Sequence, residues 1–124
     1  MGKAIIAAFA AGVVVKLFLF DLVIADGNSM EPTIHSGSVL IVSRIQYGLR
    51  LPGGKEYILR WAKPGAGDVV VFYTPSGSIA VKRCGGGEEG TFLAMGDNSN
   101  HSYDSRFYGP VPVGSVIGRV IGVI

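Results

Sequence analysis

Cysteine is almost missing from this chain: Cys84 is the only one in 124 residues. No internal disulfide can form, and no Cys/His pattern has zinc-ligand spacing. Charge is sparse as well, at 16% of residues with a formal net charge of +2. The 11 basic residues form no run, which argues against a nucleic-acid partner. There are no internal repeats and no linker long enough to join two domains. After residue 26 no helical period is visible beyond one turn at Met30 to Ile34. Together these absences leave one small, helix-poor domain with no metal or cofactor motif.

What is plentiful is apolar residues, at 48%, and glycine, at 19 residues. The glycines follow no collagen period and read as turns between short strands. Residues 4–25 read AIIAAFAAGVVVKLFLFDLVIA. A membrane-spanning helix needs roughly 20 mainly apolar residues, and the lone Lys16 can snorkel to the headgroups. Lys3 precedes the stretch, whereas Asp21, Asp26 and Glu31 follow it with no Lys or Arg before Arg44. The positive-inside rule then puts the N-terminus in the cytoplasm. A cleavable signal peptide ending at Val23-Ile24-Ala25 and a buried core helix are the rival readings. Cleavage would leave Ser29 almost at the new terminus, and so small a domain has little to cover an all-apolar helix. The span is therefore favoured, giving an N-terminal transmembrane anchor at 1–25 and an extracytoplasmic β domain at 26–124.

In that domain short apolar runs alternate with turn signals, which predicts strands at 38–43, 68–73, 79–83, 91–95 and 116–123. The Gly-rich stretch 85–90 reads as a hairpin loop. The expected fold is mainly β, a small antiparallel β-sheet domain on one N-terminal helix. Tyr47 to Trp61 mixes aromatic and basic residues, and fits either a hairpin packed on the domain or a segment dipping into a bilayer surface.

Three stretches carry chemistry. They are Gly27-Asn28-Ser29-Met30-Glu31-Pro32-Thr33, Ala80-Val81-Lys82-Arg83, and Gly96-Asp97-Asn98-Ser99-Asn100-His101-Ser102-Tyr103-Asp104-Ser105-Arg106. A serine hydroxyl is a poor nucleophile until a neighbour takes its proton. A lysine can do so when burial lowers its pKa from about 10.4. Strand alternation places Lys82 on the face opposite Val81. A histidine-based triad, Ser29/His101/Asp104 or one using His35, can also be sketched, but His101 sits in a loop where a solvated histidine is ordinary. Asp97 and Asp104 read more readily as loop-bonding groups than as a paired-acid site.

In this order, and after an apolar segment, the three stretches resemble the bacterial type I signal peptidases, membrane-anchored Ser/Lys endopeptidases. Gly67-Asp68-Val69-Val70-Val71-Phe72, Tyr108-Gly109-Pro110-Val111-Pro112 and Ile117-Gly118-Arg119 extend the match over most of the chain from Gly27. The resemblance implies Ser29 as nucleophile and Lys82 as general base. It implies that Ser102 hydrogen-bonds the lysine and that Asp104 and Arg106 form a supporting ion pair. Met30, Ile34, Ala80 and Val81, with Val23 and Ala25 as further candidates, would line pockets for small residues before the cleaved bond. The implied partners are the signal peptides of exported preproteins, cut after Ala-x-Ala, and a lipid bilayer. The implied setting is the inner, cytoplasmic membrane, single-pass, with no cofactor and no metal.

Two features depart from the larger family members. Gly27 stands where some members carry a hydroxyl that assists the oxyanion, and only 13 residues separate Lys82 from Gly96, where larger members insert a subdomain. Eukaryotic relatives use histidine at the Lys82 position, which favours the bacterial type. A conjugation-type maturation peptidase with the same dyad and a non-catalytic membrane-tethered β module are the alternatives; soluble self-cleaving repressors lack the apolar segment. Cys84 is expected to be a small buried hydrophobe.

Overall fold

The computed structural model describes residues 2–14, 19–50 and 57–124. Helix α1 covers Gly2–Val14. Strands follow at Phe20–Ile24 (β1), Val39–Ser43 (β2), Gly48–Leu49 (β3), Leu59–Arg60 (β4), Val69–Tyr73 (β5), Ile79–Cys84 (β6), Thr91–Phe92 (β7), Ala94–Met95 (β8), Val111–Pro112 (β9) and Val116–Val123 (β10), with one short helix, α2, at Ser105–Tyr108.

Six strands form one sheet in the order β1-β2-β10-β5-β6-β8, every pairing antiparallel. Strand β5 runs near its middle and is apolar throughout because both its faces are covered. Val70 and Phe72 pack into one cluster with Tyr47, Cys84, Phe92 and Val111. Val71 packs into the other with Met30, Ile34, Leu40, Val42 and Ile117, and Val69 and Tyr73 flank it. A strand buried on both sides has no polar face to alternate, so it reads as a continuous apolar run. Cys84 is 1% exposed in the first cluster.

The mainly β, antiparallel expectation holds, and five predicted strands are found within a residue or two of their expected ends, with one refinement. The 91–95 segment serves two sheets: β7 pairs with β9, and β8 pairs with β6. It turns at Leu93, whose N–H donates to Gly86 and whose C=O accepts from Gly85. The Tyr47–Trp61 region contains the β3–β4 pair, while 51–56 lie outside the described residues. Tyr47 and Arg50 are buried there, and Ile58, Leu59 and Trp61 are exposed.

The apolar stretch 4–25 is not a single helix. Its last residues form β1, the edge strand, in register with β2 from Phe20↔Ser43 to Ile24↔Val39. The alternation of exposed Leu22 and Ile24 with half-buried Val23 shows why: Val23 and Ala25 pack on the second cluster. No helix among the described residues is long and apolar enough to cross a membrane. Helix α1 is exposed over residues 2–13, Ile5, Ile6 and Phe9 included.

Strand β10 has register shifts between Val116 and Gly118 and between Val120 and Gly122. At the first, Gly118 lies so close to β2 that a Cβ there would stand 2.3 Å from the Ser43 carbonyl oxygen. Gly118→Ala should therefore lower stability by about 1–3 kcal/mol, the overpacking range, a fall of roughly 5 °C or more in thermal midpoint. A melt matching wild type would show that the β2–β10 contact yields freely.

Candidate active site

Ser29 sits in the turn between β1 and β2, where the Ile34 N–H donates to the Met30 carbonyl at 2.9 Å. Met30 and Ile34 drop into the core and anchor this turn. Lys82 lies on β6 between Val81, which flanks the second cluster, and Arg83. Lys82 Nζ and Ser29 Oγ are hydrogen-bonded at 2.6 Å, and Lys82 is only 6% exposed. Its pKa is lowered from 10.5 first by desolvation; Asp104 acts against the shift and Arg106 with it.

A second loop, 96–106, holds the serine turn from behind. The Asn98 N–H donates to the Ser29 carbonyl at 2.8 Å, and its side-chain amide donates to the Asn28 carbonyl at 3.0 Å. Asp97 accepts from the Thr33 hydroxyl at 2.6 Å and from Arg83 at 2.9 and 2.8 Å. Arg83 lowers the Asp97 pKa, so the carboxylate stays ionised as a strut. Gly96 makes this approach possible: a Cβ there would fall 2.0 Å from Ser102 Oγ and 2.8 Å from the Ser29 carbonyl oxygen.

Asp104 is fully buried. Burial opposes its ionisation, but hydrogen bonds from Arg106, Ser102 and the Gly96 and Arg106 amides outweigh it and hold the carboxyl well below its usual range. Arg106 Nε donates at 2.9 Å, the Gly96 N–H at 2.7 Å and the Ser102 hydroxyl at 2.6 Å. Asp104 also caps α2 by accepting from the Arg106 N–H.

The expected Asp104–Arg106 pair is thus formed, but Ser102 differs from expectation. Among the described residues no hydrogen bond joins it to Lys82. Its single hydroxyl proton goes to Asp104, the stronger acceptor, and only its lone pairs remain for an amine. His101 is exposed in a 3-10 turn and His35 is exposed beside Glu31, 2.5 Å away; neither is brought to Ser29. Sequence reasoning assigned no role to Thr33, Arg83 or Asn98. All three lie inside the three chemistry-bearing stretches, but nothing in their spacing says that they meet across the fold.

Beside the dyad lies a groove of about 380 Å³ lined by Val23, Ala25, Met30, Ile34 and Val81, with Ile79 at its outer end. It runs between two strand edges. Ser78 and Cys84 bond toward β5, so alternation turns the backbones of Ile79 and Val81 outward. Strand β8 occupies that edge only at Arg83 and Cys84. On the other side Leu19 and Ala25 bond toward β2, so Leu22, Ile24 and Asp26 face the gap. All the sequence-predicted pocket residues fall on this groove, Ala80 included. Among the described residues no group of three or more His, Cys, Asp or Glu side chains could hold a metal ion.

Residues 1–88 and 86–124 match the family described as signal peptidase, peptidase S26. The chain belongs to that family. Peptidase S26 members are hydrolases, which fixes the broad reaction class. Mitochondrial ATP-independent inner membrane protease subunit 1b of Arabidopsis thaliana is 31% identical over 129 residues, covering 84% of this chain and 69% of the plant protein. Mitochondrial inner membrane protease subunit 1 of Schizosaccharomyces pombe is 32% identical over 125 residues, covering 84% of this chain and 73% of the yeast protein. Signal peptidase I of Pseudomonas fluorescens is 32% identical over 75 residues, 60% of this chain but 26% of the bacterial protein. The chain thus spans about a quarter of that bacterial relative. The similarity reaches organellar proteins as well as the bacterial type singled out from the motifs.

Asp104 should stabilise the fold wherever it is ionised. Because its folded pKa is depressed, that stability is complete above the unfolded value of 3.8 and is lost as pH falls through the folded one. Asp104→Asn should cost about 3 kcal/mol at neutral pH, toward the low end for breaking a buried pair. Denaturant titrations should show this gap flat down to about pH 5 and closing below it; a gap unchanged at pH 2 would contradict the assignment.

Proposed function

We propose that this chain is a membrane-associated serine endopeptidase that removes signal peptides from exported preproteins after small residues of the Ala-x-Ala type. The observation that carries the reading is the 2.6 Å contact between a buried amine and the Ser29 hydroxyl at the head of a two-edged groove. An ordinary lysine is roughly 0.4% neutral at pH 8; each unit of depression raises that fraction about tenfold. Desolvation of Lys82 therefore supplies the base that Ser29 needs.

In this mechanism the substrate enters the groove as an extended strand, its backbone bonding to the outward groups of β6 and β1. Small side chains before the scissile bond enter the apolar floor at Met30, Ile34 and Val81. Neutral Lys82 takes the Ser29 proton as Oγ attacks the carbonyl carbon. The carbon–nitrogen bond breaks, the leaving amine takes the proton from Lys82, and an acyl-enzyme ester remains. Lys82 then deprotonates water for hydrolysis. The Ser29 N–H, which has no partner among the described residues, is placed to donate to the oxyanion; Gly27 supplies no side chain for that purpose. Ser102 and Asp104 act as positioning residues behind the amine.

Membrane association is supported by the exposed apolar face of α1 and by relatives named for the mitochondrial inner membrane. The proposed topology is an N-terminal anchor with its terminus in the cytoplasm and the β domain on the outer face.

Ser29→Ala and Lys82→Ala should each reduce cleavage of a preprotein whose signal peptide ends in Ala-x-Ala by about 10⁴-fold or more, as when catalytic triads lose a member. His101→Ala should change it less than about twofold, being a surface substitution. Activity should rise with pH as Lys82 loses its proton, with a midpoint below 10.5. Loss of activity in His101→Ala alone would overturn the choice of base.

A further inference from the structure

Tyr103 stands between Ser102 and Asp104 yet takes no part in their network. It is 69% exposed, and Phe107 is 68% exposed. Their rings stack at 5.4 Å with planes 27° apart, and Tyr103 meets Tyr108 edge-on at 5.3 Å. Tyr103 and Tyr108 wall a cleft of about 170 Å³ against Thr74, Pro75, Ser76 and Ser78 of the β5–β6 turn. The Tyr108 hydroxyl is buried without a partner among the described residues. Burial pushes its pKa up to about 12, with Asp104 and Tyr103 adding to the rise, so it remains a donor at working pH.

This cleft lies on one face of β6. Ala80 and Tyr108 pack against the same core cluster, whereas Val81 packs against the other with Met30 and Ile34. A strand added at the β6 edge sends alternate side chains to these two faces. With the residue before the cleaved bond in the Met30 and Ile34 pocket, the residue before that one points to the aromatic side.

We propose that the Tyr103–Tyr108 cleft is a second specificity subsite, taking the side chain two positions before the cleaved bond and favouring a large aromatic group there. The proposal rests on the Ser29/Lys82 reading for its register. Two rings offer a face and an edge to an incoming aromatic, and Thr74, Ser76 and Ser78, whose hydroxyls bond to one another, form the facing wall.

The test uses the full chain in detergent, in a Ser29→Ala background, binding fluorescent peptides that carry Ala-X-Ala followed by several further residues, with X either Ala or Tyr. The X = Tyr peptide should bind about tenfold more tightly, and Tyr103→Ala should remove that preference while changing X = Ala binding less than twofold. Phe107→Ala should weaken the preference partly by freeing the Tyr103 ring. Equal affinities for the two peptides, or an equal loss for both in Tyr103→Ala, would overturn the subsite. Residual cleavage by Ser29→Ala itself would count against the dyad instead, and is read separately.

Discussion

A charged amine prefers water, and the site depends on denying it water. Lys82 is held on a strand with its amine against one hydroxyl, 6% exposed. Removing solvent disfavours the ammonium and shifts the balance toward the neutral form, the form that accepts a proton in the proposed mechanism. Asp104, the nearest buried carboxylate, works in the opposite direction. Arg106 and Ser102 absorb much of that carboxylate's hydrogen-bonding capacity. The ion pair thus serves two ends: it satisfies a buried negative charge, and it limits how strongly that charge pulls a proton back onto the lysine.

The same economy shapes the loops. The serine turn has little secondary structure of its own, so its geometry is borrowed from the 96–106 loop. Asn98 reads the backbone at residues 28 and 29, and Asp97 joins Thr33 to Arg83. Lys82 and Arg83 are neighbours on one strand, and alternation sends them to opposite faces. Lys82 reaches the Ser29 hydroxyl, and Arg83 braces the 96–106 loop that holds the Ser29 turn from behind. At Gly96 the Ser102 side chain and the Ser29 carbonyl converge, and any side chain there would force Ser102 and Ser29 apart.

The sheet contributes an opening instead of a surface. Strands β1 and β6 leave part of their edges unpaired across a shared gap, and unpaired edges ordinarily invite aggregation. Here they flank the dyad, which turns a liability into a receptor for an extended peptide in the proposed mechanism. Membership of the S26 family and the likeness to both organellar and bacterial proteins agree with that use of the fold.

Much of this protein was legible in its residues. Apolar runs of β-branched residues between glycines and prolines marked five strands, because a pleated, covered strand selects such side chains. The motifs around Ser29, Lys82 and Ser102–Arg106 pointed to one chemistry. What local pattern could not show was anything set by distance across the fold. It read β1 as the end of a membrane span, since an apolar run looks the same in lipid as at a sheet edge. It missed α2, a single turn that depends on Asp104 as its cap, and the bend at Leu93, which depends on two partner strands. Residue order by itself determined which groups are present and which strands they ride on. Only tertiary packing decided that Lys82 is dry, that Ser102 gives its proton to Asp104, and that two edges face each other. Desolvation, hydrogen-bond partnership and closure of a gap are properties of neighbours in space, which spacing along the chain does not encode.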